Sequence, residues 1–253
     1  MMKGFLIVAG LGSGKFSQIT SEVLDALKNC DCIIGYEKYI SLIKGHFPNK
    51  EFFSTPMKKE EERCRLALQM AEMGKNVVFV CSGDSGVYGL AGLIYEMSPD
   101  FPNVEVFVLP GITAALSGAS ILGAPLIHDF CLISLSDLMT PWEKIEKRLE
   151  CASQADFVIV LYNPMSRSRA DYLFKACEIL LKKLSEKTPC GYARNIGREG
   201  EEAKILTLGE LKSTKLDMFA TVFIGNSSTK VIETPSGKKL VTPRGYEFEK
   251  SEE

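Results

Sequence analysis

A chain of 253 residues, 45% hydrophobic and 25% charged, can bury one large core or two smaller ones. Its net charge of −2 excludes a general attraction to nucleic acid or anionic membrane, and no apolar run approaches the length of a membrane helix. The eight cysteines form no Cys-x-x-Cys pair and read as reduced, mostly buried thiols of a cytoplasmic protein. With His46 and His128 the only histidines, no metal site is expected.

Gly4 to Gly10 reads as a buried first strand rather than a leader, because it runs straight into the loop Gly10-Leu11-Gly12-Ser13-Gly14-Lys15. That loop has neither the dinucleotide fingerprint nor the P-loop spacing. A helix over Ile19–Lys28 and a strand over Cys32–Gly35 follow. Asp31 precedes this strand, whereas a ribose-binding acid belongs at its end. The pattern then predicts a helix over Tyr36–Lys44, a strand over Glu51–Ser54 and a helix over Lys58–Met73 with Gly74 as its cap. The strand Val77–Cys81 ends in Ser82-Gly83-Asp84-Ser85-Gly86, with a helix predicted from Val87 to Met97 and a strand over Val104–Leu109. The Ser82–Gly86 turn reads equally well as a capped strand-to-helix turn and as a ligand loop at a strand's carboxyl end.

Pro110-Gly111-Ile112-Thr113-Ala114 breaks the series, and the small, apolar helix Ala114–Leu122 suits close packing on a neighbour or on a ligand. Strands are predicted over His128–Leu135, Asp156–Tyr162, Cys190–Asn195, Ala203–Leu208 and Phe219–Gly225, with helices over Trp142–Leu149 and Ser168–Lys183. The tail from Ser227 is polar, and its last charged residues are expected to fray. The fold class is therefore α/β with two α/β domains, 1–112 and 113–253. Arg167, Arg169, Arg194 and Arg198 follow strand ends, which suits either a polyanionic substrate or surface pairing with Glu199, Glu201 and Glu202. His128 and Asp129 suit either a site or a structural role. No nucleophilic triad is visible, so chemistry by positioning fits better.

Five segments in order, GLGSGKFSQIT, CSGDSGVYG, LPGITAALSGASILGAPLIHDF, VLYNPMSRSR and ARNIGREGE, together resemble the tetrapyrrole methylases. These are class III S-adenosylmethionine-dependent methyltransferases. The resemblance covers about Gly4 to Asn226, and the last two segments look like the branch that methylates carbon 17 of a precorrin or cobalt-precorrin and contracts the ring. It implies a cytoplasmic enzyme of cobalamin biosynthesis, usually a homodimer, with the methyl donor in a cleft between the domains. By motif, the donor contacts fall on Gly83, Asp84, Ser85, Val87, Tyr88, Thr113, Ala114, Leu161, Tyr162, Ala193 and Arg194. The tetrapyrrole side takes Gly12, Ser13, Gly14, Arg167, Arg169 and Arg198. Cobalt would arrive only with the substrate. Proton management in ring contraction falls to Asp84, His128, Asp129 or Glu199, with Asp84 and His128 foremost. The usual Gly-Pro-Gly and Gly-Asp-Pro are replaced here by Gly12-Ser13-Gly14 and Gly83-Asp84-Ser85. A sister methylase acting at another carbon, a relative that modifies a protein side chain and a non-catalytic tetrapyrrole-binding protein are the alternatives.

Overall fold

Period-two alternation builds the first sheet. In a computed structural model, which describes residues 4–246, the chain divides into two compact units, 1–114 and 115–253. The first unit runs β1 (Phe5–Gly10), α1 (Ser21–Asn29), β2 (Cys32–Tyr36), α2 (Glu37–Ile43), β3 (Glu51–Thr55), α3 (Glu60–Glu72), β4 (Asn76–Cys81), α4 (Ala91–Met97) and β5 (Glu105–Leu109). The strands are all parallel, in the order β3-β2-β4-β1-β5. Leu6, Val8, Val77 and Phe79 face α3 and α4, where Leu68 and Ile94 meet them. Ala9, Val78 and Val80 face the other way, onto Val23, Leu27, Ile40 and Ile43 of α1 and α2. A sheet covered on both faces needs apolar residues at successive positions, which is why β1 and β4 read as continuous apolar runs.

The loops after β4, β1 and β5 consequently share one edge of three adjacent strands. Helix α4 starts at Ala91 instead of Val87. The chain first turns at Tyr88, whose φ is 54°, and closes on itself through Ala91 N donating to Ser85 O at 3.1 Å.

The second unit opens with α5 (Ala114–Leu122) and continues β6 (Gly123–Ala124), β7 (Phe130–Ser134), α6 (Trp142–Gln154), β8 (Val158–Tyr162), α7 (Tyr172–Leu181), β9 (Pro189–Arg194), β10 (Glu202–Thr207), α8 (Leu208–Lys212), β11 (Ala220–Ile224), β12 (Lys230–Thr234) and β13 (Gly237–Val241). Its main sheet has the order β10-β9-β11-β8-β7, and within it only β7 and β8 pair in parallel. Leu149, Leu173, Leu180, Leu161 and Val222 form the core on one face. On the other face α5 packs on Val160, Phe223 and Leu240. The small residues of α5 serve that packing: a Cβ on Gly118 would lie 2.9 Å from the Phe223 ring.

Three differences from the sequence expectation have local causes. Helix α7 starts at Tyr172 rather than Ser168 because Ser166 and Arg169 first bond each other's backbone at 3.1 and 3.3 Å. The polar tail contains a hairpin, β12–β13, which joins β6 in a second sheet of three strands. The short helix α8 carries a reciprocal capping box between Thr207 and Glu210. The charged residues expected to fray lie outside the described residues.

Candidate active site

Three loops converge at the carboxyl edge of the first sheet. Gly12 N donates to Gly83 O at 3.0 Å, Gly83 N donates back to Gly12 O at 2.8 Å, and Leu11 N donates to Cys81 O at 2.8 Å. The Pro110–Thr113 loop closes from the other side. A Cβ on Gly111 would lie 2.2 Å from Gly83 O, and one on Gly10 would lie 2.6 Å from Gly111 N. Only glycine permits that approach. At Gly83, whose φ is 64°, an added methyl would meet Thr113 Cα at 3.6 Å and Ala114 N at 3.8 Å, filling the gap between the two loops.

Asp84 is the pin of this arrangement. Its Oδ1 accepts from Gly86 N at 2.8 Å and Val87 N at 3.1 Å, and its Oδ2 accepts from Gly111 N at 2.9 Å. One half-buried carboxylate thus caps its own turn and ties it to the neighbouring loop. Ser85 is fully buried, with its hydroxyl 3.3 Å from both Val8 O and Leu109 O. Its side chain therefore faces the sheet, and only its backbone is available to a ligand. Tyr88 stands 55% exposed beyond the turn. Of the first loop, Gly12 and Ser13 are buried, and the Ser13 hydroxyl donates to Gln18 Oε1.

In the second unit, Tyr162 and Arg194 end β8 and β9 at the same sheet edge, on either side of β11. The Tyr162 hydroxyl accepts from Ala115 N at 2.6 Å. Leu161 and Ala193 are fully buried, so their side chains belong to the core. Arg194 Nη2 and the Tyr192 hydroxyl both donate to Glu202, each at 2.5 Å. Burial, then Glu202, raises the Tyr192 phenol above its ordinary range, and the Tyr192 bond, aided by the Arg194 charge, holds the Glu202 carboxyl below its own. Arg194 and Glu202 are directly opposed across the β9–β10 hairpin. Glu202 is one of the surface partners expected for these arginines from the sequence.

The arginines divide. Arg167 is exposed on the loop after β8. Arg169 is 11% exposed at its side chain and binds inward, to Ser136 Oγ at 2.6 Å, Ser166 Oγ at 3.2 Å and Asp137 at 3.4 Å. Tyr172 completes that cluster with a 2.6 Å bond to Asp137, and Asn163, whose φ is 53°, donates to Ser134 Oγ at 3.0 Å. Sequence reasoning missed Ser136 and Asp137, which reach Arg169 from the loop after β7, and Tyr172, which bonds Asp137 from α7. Arg198 is half-buried in the loop after β9, where Gly197 N donates to Glu201 at 2.6 Å.

His128 is not brought to these residues. It precedes β7, at the sheet edge opposite Tyr162, and its Nδ1 accepts from Asp129 N at 2.8 Å. Asp129 Oδ2 lies 3.7 Å from the same nitrogen. Glu199 is exposed on the loop after β9. All eight cysteines are unbridged, and burial pushes the Cys81 thiol up to about 11 and that of Cys64 to about 12. Among the described residues no group of three or more His, Cys, Asp and Glu is placed to hold a metal, and no helix is long and apolar enough to cross a membrane.

The family profile of the Tetrapyrrole (Corrin/Porphyrin) Methylases matches residues 6–212, and the chain belongs to that family. Methyl transfer from S-adenosylmethionine is the family's chemistry. Among its relatives is a probable cobalt-factor III C(17)-methyltransferase of Salmonella typhimurium, 44% identical and covering 95% of this chain and 99% of that one. A precorrin-3B C(17)-methyltransferase of Sinorhizobium sp is 38% identical, covering 97% and 98%. The crystal structure of the methyltransferase CobJ superposes with a TM-score of 0.86 at 36% identity, covering 95% of this chain and all of that one.

Proposed function

We propose that this chain is an S-adenosylmethionine-dependent C-methyltransferase of cobalamin biosynthesis that methylates carbon 17 of cobalt-factor III or precorrin-3B with ring contraction. The observation that carries this reading is likeness along nearly the whole of both chains to relatives named for carbon-17 methylation. The loops of the first unit fit a methyl donor by their geometry, since the gap that a Cβ at Gly83 would fill lies between two backbone segments. Gly83, Thr113 and Ala114 would present backbone to the donor, with Val87 and Tyr88 beside them. Asp84 acts as a positioning residue, holding the two loops at the separation the donor needs. The bound donor supplies an electrophilic methyl on a sulfonium. The protein's task is to align a nucleophilic macrocycle carbon with it and to exclude water. Exposed Arg167 suits the carboxylates at the rim of a tetrapyrrole. We extend the proposal to a cytoplasmic homodimer, with cobalt entering only as part of the substrate.

Incubation with methyl-labelled S-adenosylmethionine and cobalt-factor III or precorrin-3B, metallated and metal-free in parallel, tests the reading. Label at carbon 17 of a ring-contracted product is the expected result, assigned by NMR. Label at another carbon, or none in the macrocycle, overturns it. Light scattering after size exclusion reads the oligomeric state.

A further inference from the structure

Arg63 is a buried cation whose hydrogen-bonding capacity is unevenly used. It lies in the first turn of α3 with its side chain 4% exposed. Nη1 donates to Thr55 Oγ1 at 2.5 Å and more weakly to Pro56 O at 3.4 Å, while Nη2 stands 3.9 Å from Glu60 Oε1. Nε is buried and has no partner among the described residues. A buried guanidinium with an idle donor and one distant, 42%-exposed carboxylate is poorly compensated for its lost hydration.

The same arginine lines a pocket of roughly 190 Å³ in the first unit, together with Tyr36, Tyr39, Met57, Glu60, Ser82 and Tyr88. Tyr36 ends β2 and Ser82 follows β4, so the pocket opens at the sheet edge that carries the Ser82–Gly86 turn. Tyr36 and Tyr39 meet edge to face at 5.1 Å. The walls are thus aromatic and apolar around one cation. The volume lies below the roughly 300 Å³ at which pockets hold a whole drug-sized ligand. A short anionic arm on an apolar frame fits, and a macrocycle does not. Glu60, 3.9 Å from the guanidinium and partly solvated, offsets a fraction of its charge, which favours a monoanionic carboxylate over a phosphate dianion.

We propose that Arg63 and its pocket form a carboxylate subsite that takes one carboxyalkyl arm of the macrocyclic substrate. The assignment of the arm to a tetrapyrrole rests on the function proposed above. Occupancy would give Nε an acceptor, and the tyrosine rings would flank the arm's methylene groups. The subsite would then fix the rotation of the ring in its plane and so help choose which carbon meets the methyl group.

Two measurements test this. In the intact protein, the ¹⁵N–¹H resonance of Arg63 Nε, assigned by its loss in Arg63→Lys, should move saturably on titration with propionate or succinate and stay fixed with propionamide. In steady-state assays, Arg63→Lys and the surface variant Met57→Glu, which sets a like charge at the pocket, should raise KM for the tetrapyrrole by about tenfold while leaving the affinity for S-adenosylmethionine unchanged. Met57 is 46% exposed, so the second variant keeps the test open should the first fold poorly. An Nε resonance blind to carboxylates overturns the proposal. So does Arg63→Lys or Met57→Glu with an unchanged tetrapyrrole KM, whatever happens to the melting temperature. If no tetrapyrrole is methylated by the wild type while the resonance still follows carboxylates, the functional reading fails and the subsite stands.

Discussion

Replacing Asp84 by alanine separates its two readings, as a builder of the loops and as a direct contact to the donor. The substitution deletes the acceptor of three backbone N–H groups, at 2.8, 2.9 and 3.1 Å. A bond to a charged acceptor contributes about 1.5–3 kcal/mol when buried. Asp84 is half-buried, so water re-solvates part of what is lost, and a net destabilisation of about 3 kcal/mol follows. At roughly 2–4 °C per kcal/mol for a chain of this size, the melting temperature should fall by about 6–12 °C. Urea unfolding is best followed by far-UV circular dichroism, because the sole tryptophan, Trp142, lies in the second unit and does not report on the first. Calorimetric titration with S-adenosylmethionine should show weakened binding in the same variant, since the Ser82–Gly86 and Pro110–Gly111 loops are no longer tied. An unchanged urea midpoint with donor binding abolished would refute the loop-building account.

The glycines give a sharper contrast. Gly111→Ala forces a Cβ onto Gly83 O and should cost about 2–3 kcal/mol and most of the donor affinity. Gly92→Ala in α4, where nothing lies within 4 Å, should stabilise by about 0.5–1 kcal/mol, as differential scanning calorimetry would show. Arg167→Ala should raise KM for the tetrapyrrole with an unchanged melting temperature, whereas Arg169→Ala should lower the melting temperature, because it strips partners from Ser136 and Asp137. The Tyr172 hydroxyl, with help from Arg169, holds the Asp137 carboxyl below its usual range. Folding thus lowers this pKa, and the resulting stability is present above the unfolded value of about 3.9 and is lost as pH falls through the folded value. The gap in urea midpoint between wild type and Asp137→Asn should accordingly be widest near neutral pH and shrink below about pH 4. A gap that grows on acidification would contradict the assignment.

What the sequence revealed and what it hid follow from the range of the interactions. Strands β1 and β4 were legible because burial on both faces leaves an unbroken apolar run, and Gly83-Asp84 stood out because a strand that stops at glycine exposes backbone. That Asp84 turns back onto Gly86 and Val87 was half-visible as a capping pattern. Its third bond, to Gly111, spans two loops and had no local sign. The same holds for Arg169, whose partners Ser136 and Asp137 sit after a different strand. Burial of Ser85, Leu161 and Ala193 depends on which face of its strand or turn each residue takes, and a motif names residues without naming faces. The hairpin β12–β13 was hidden because one of its strands is exposed throughout most of its length and so lacks the apolar density that marks a strand.

The closure of α5 by Leu240 sets an order on the making of the molecule. Ala115, Ala119 and Leu122 are covered by Val160, Phe223 and Leu240, and the last of these is translated long after the helix it shields. The first unit has all its strands in hand by Leu109 and can mature on the ribosome. The second must hold an apolar helix only partly shielded, by Val160 and Phe223, until the β12–β13 hairpin emerges. Premature termination within β13 would therefore release a chain with one finished half and one adhesive half, a ready substrate for chaperones and proteases.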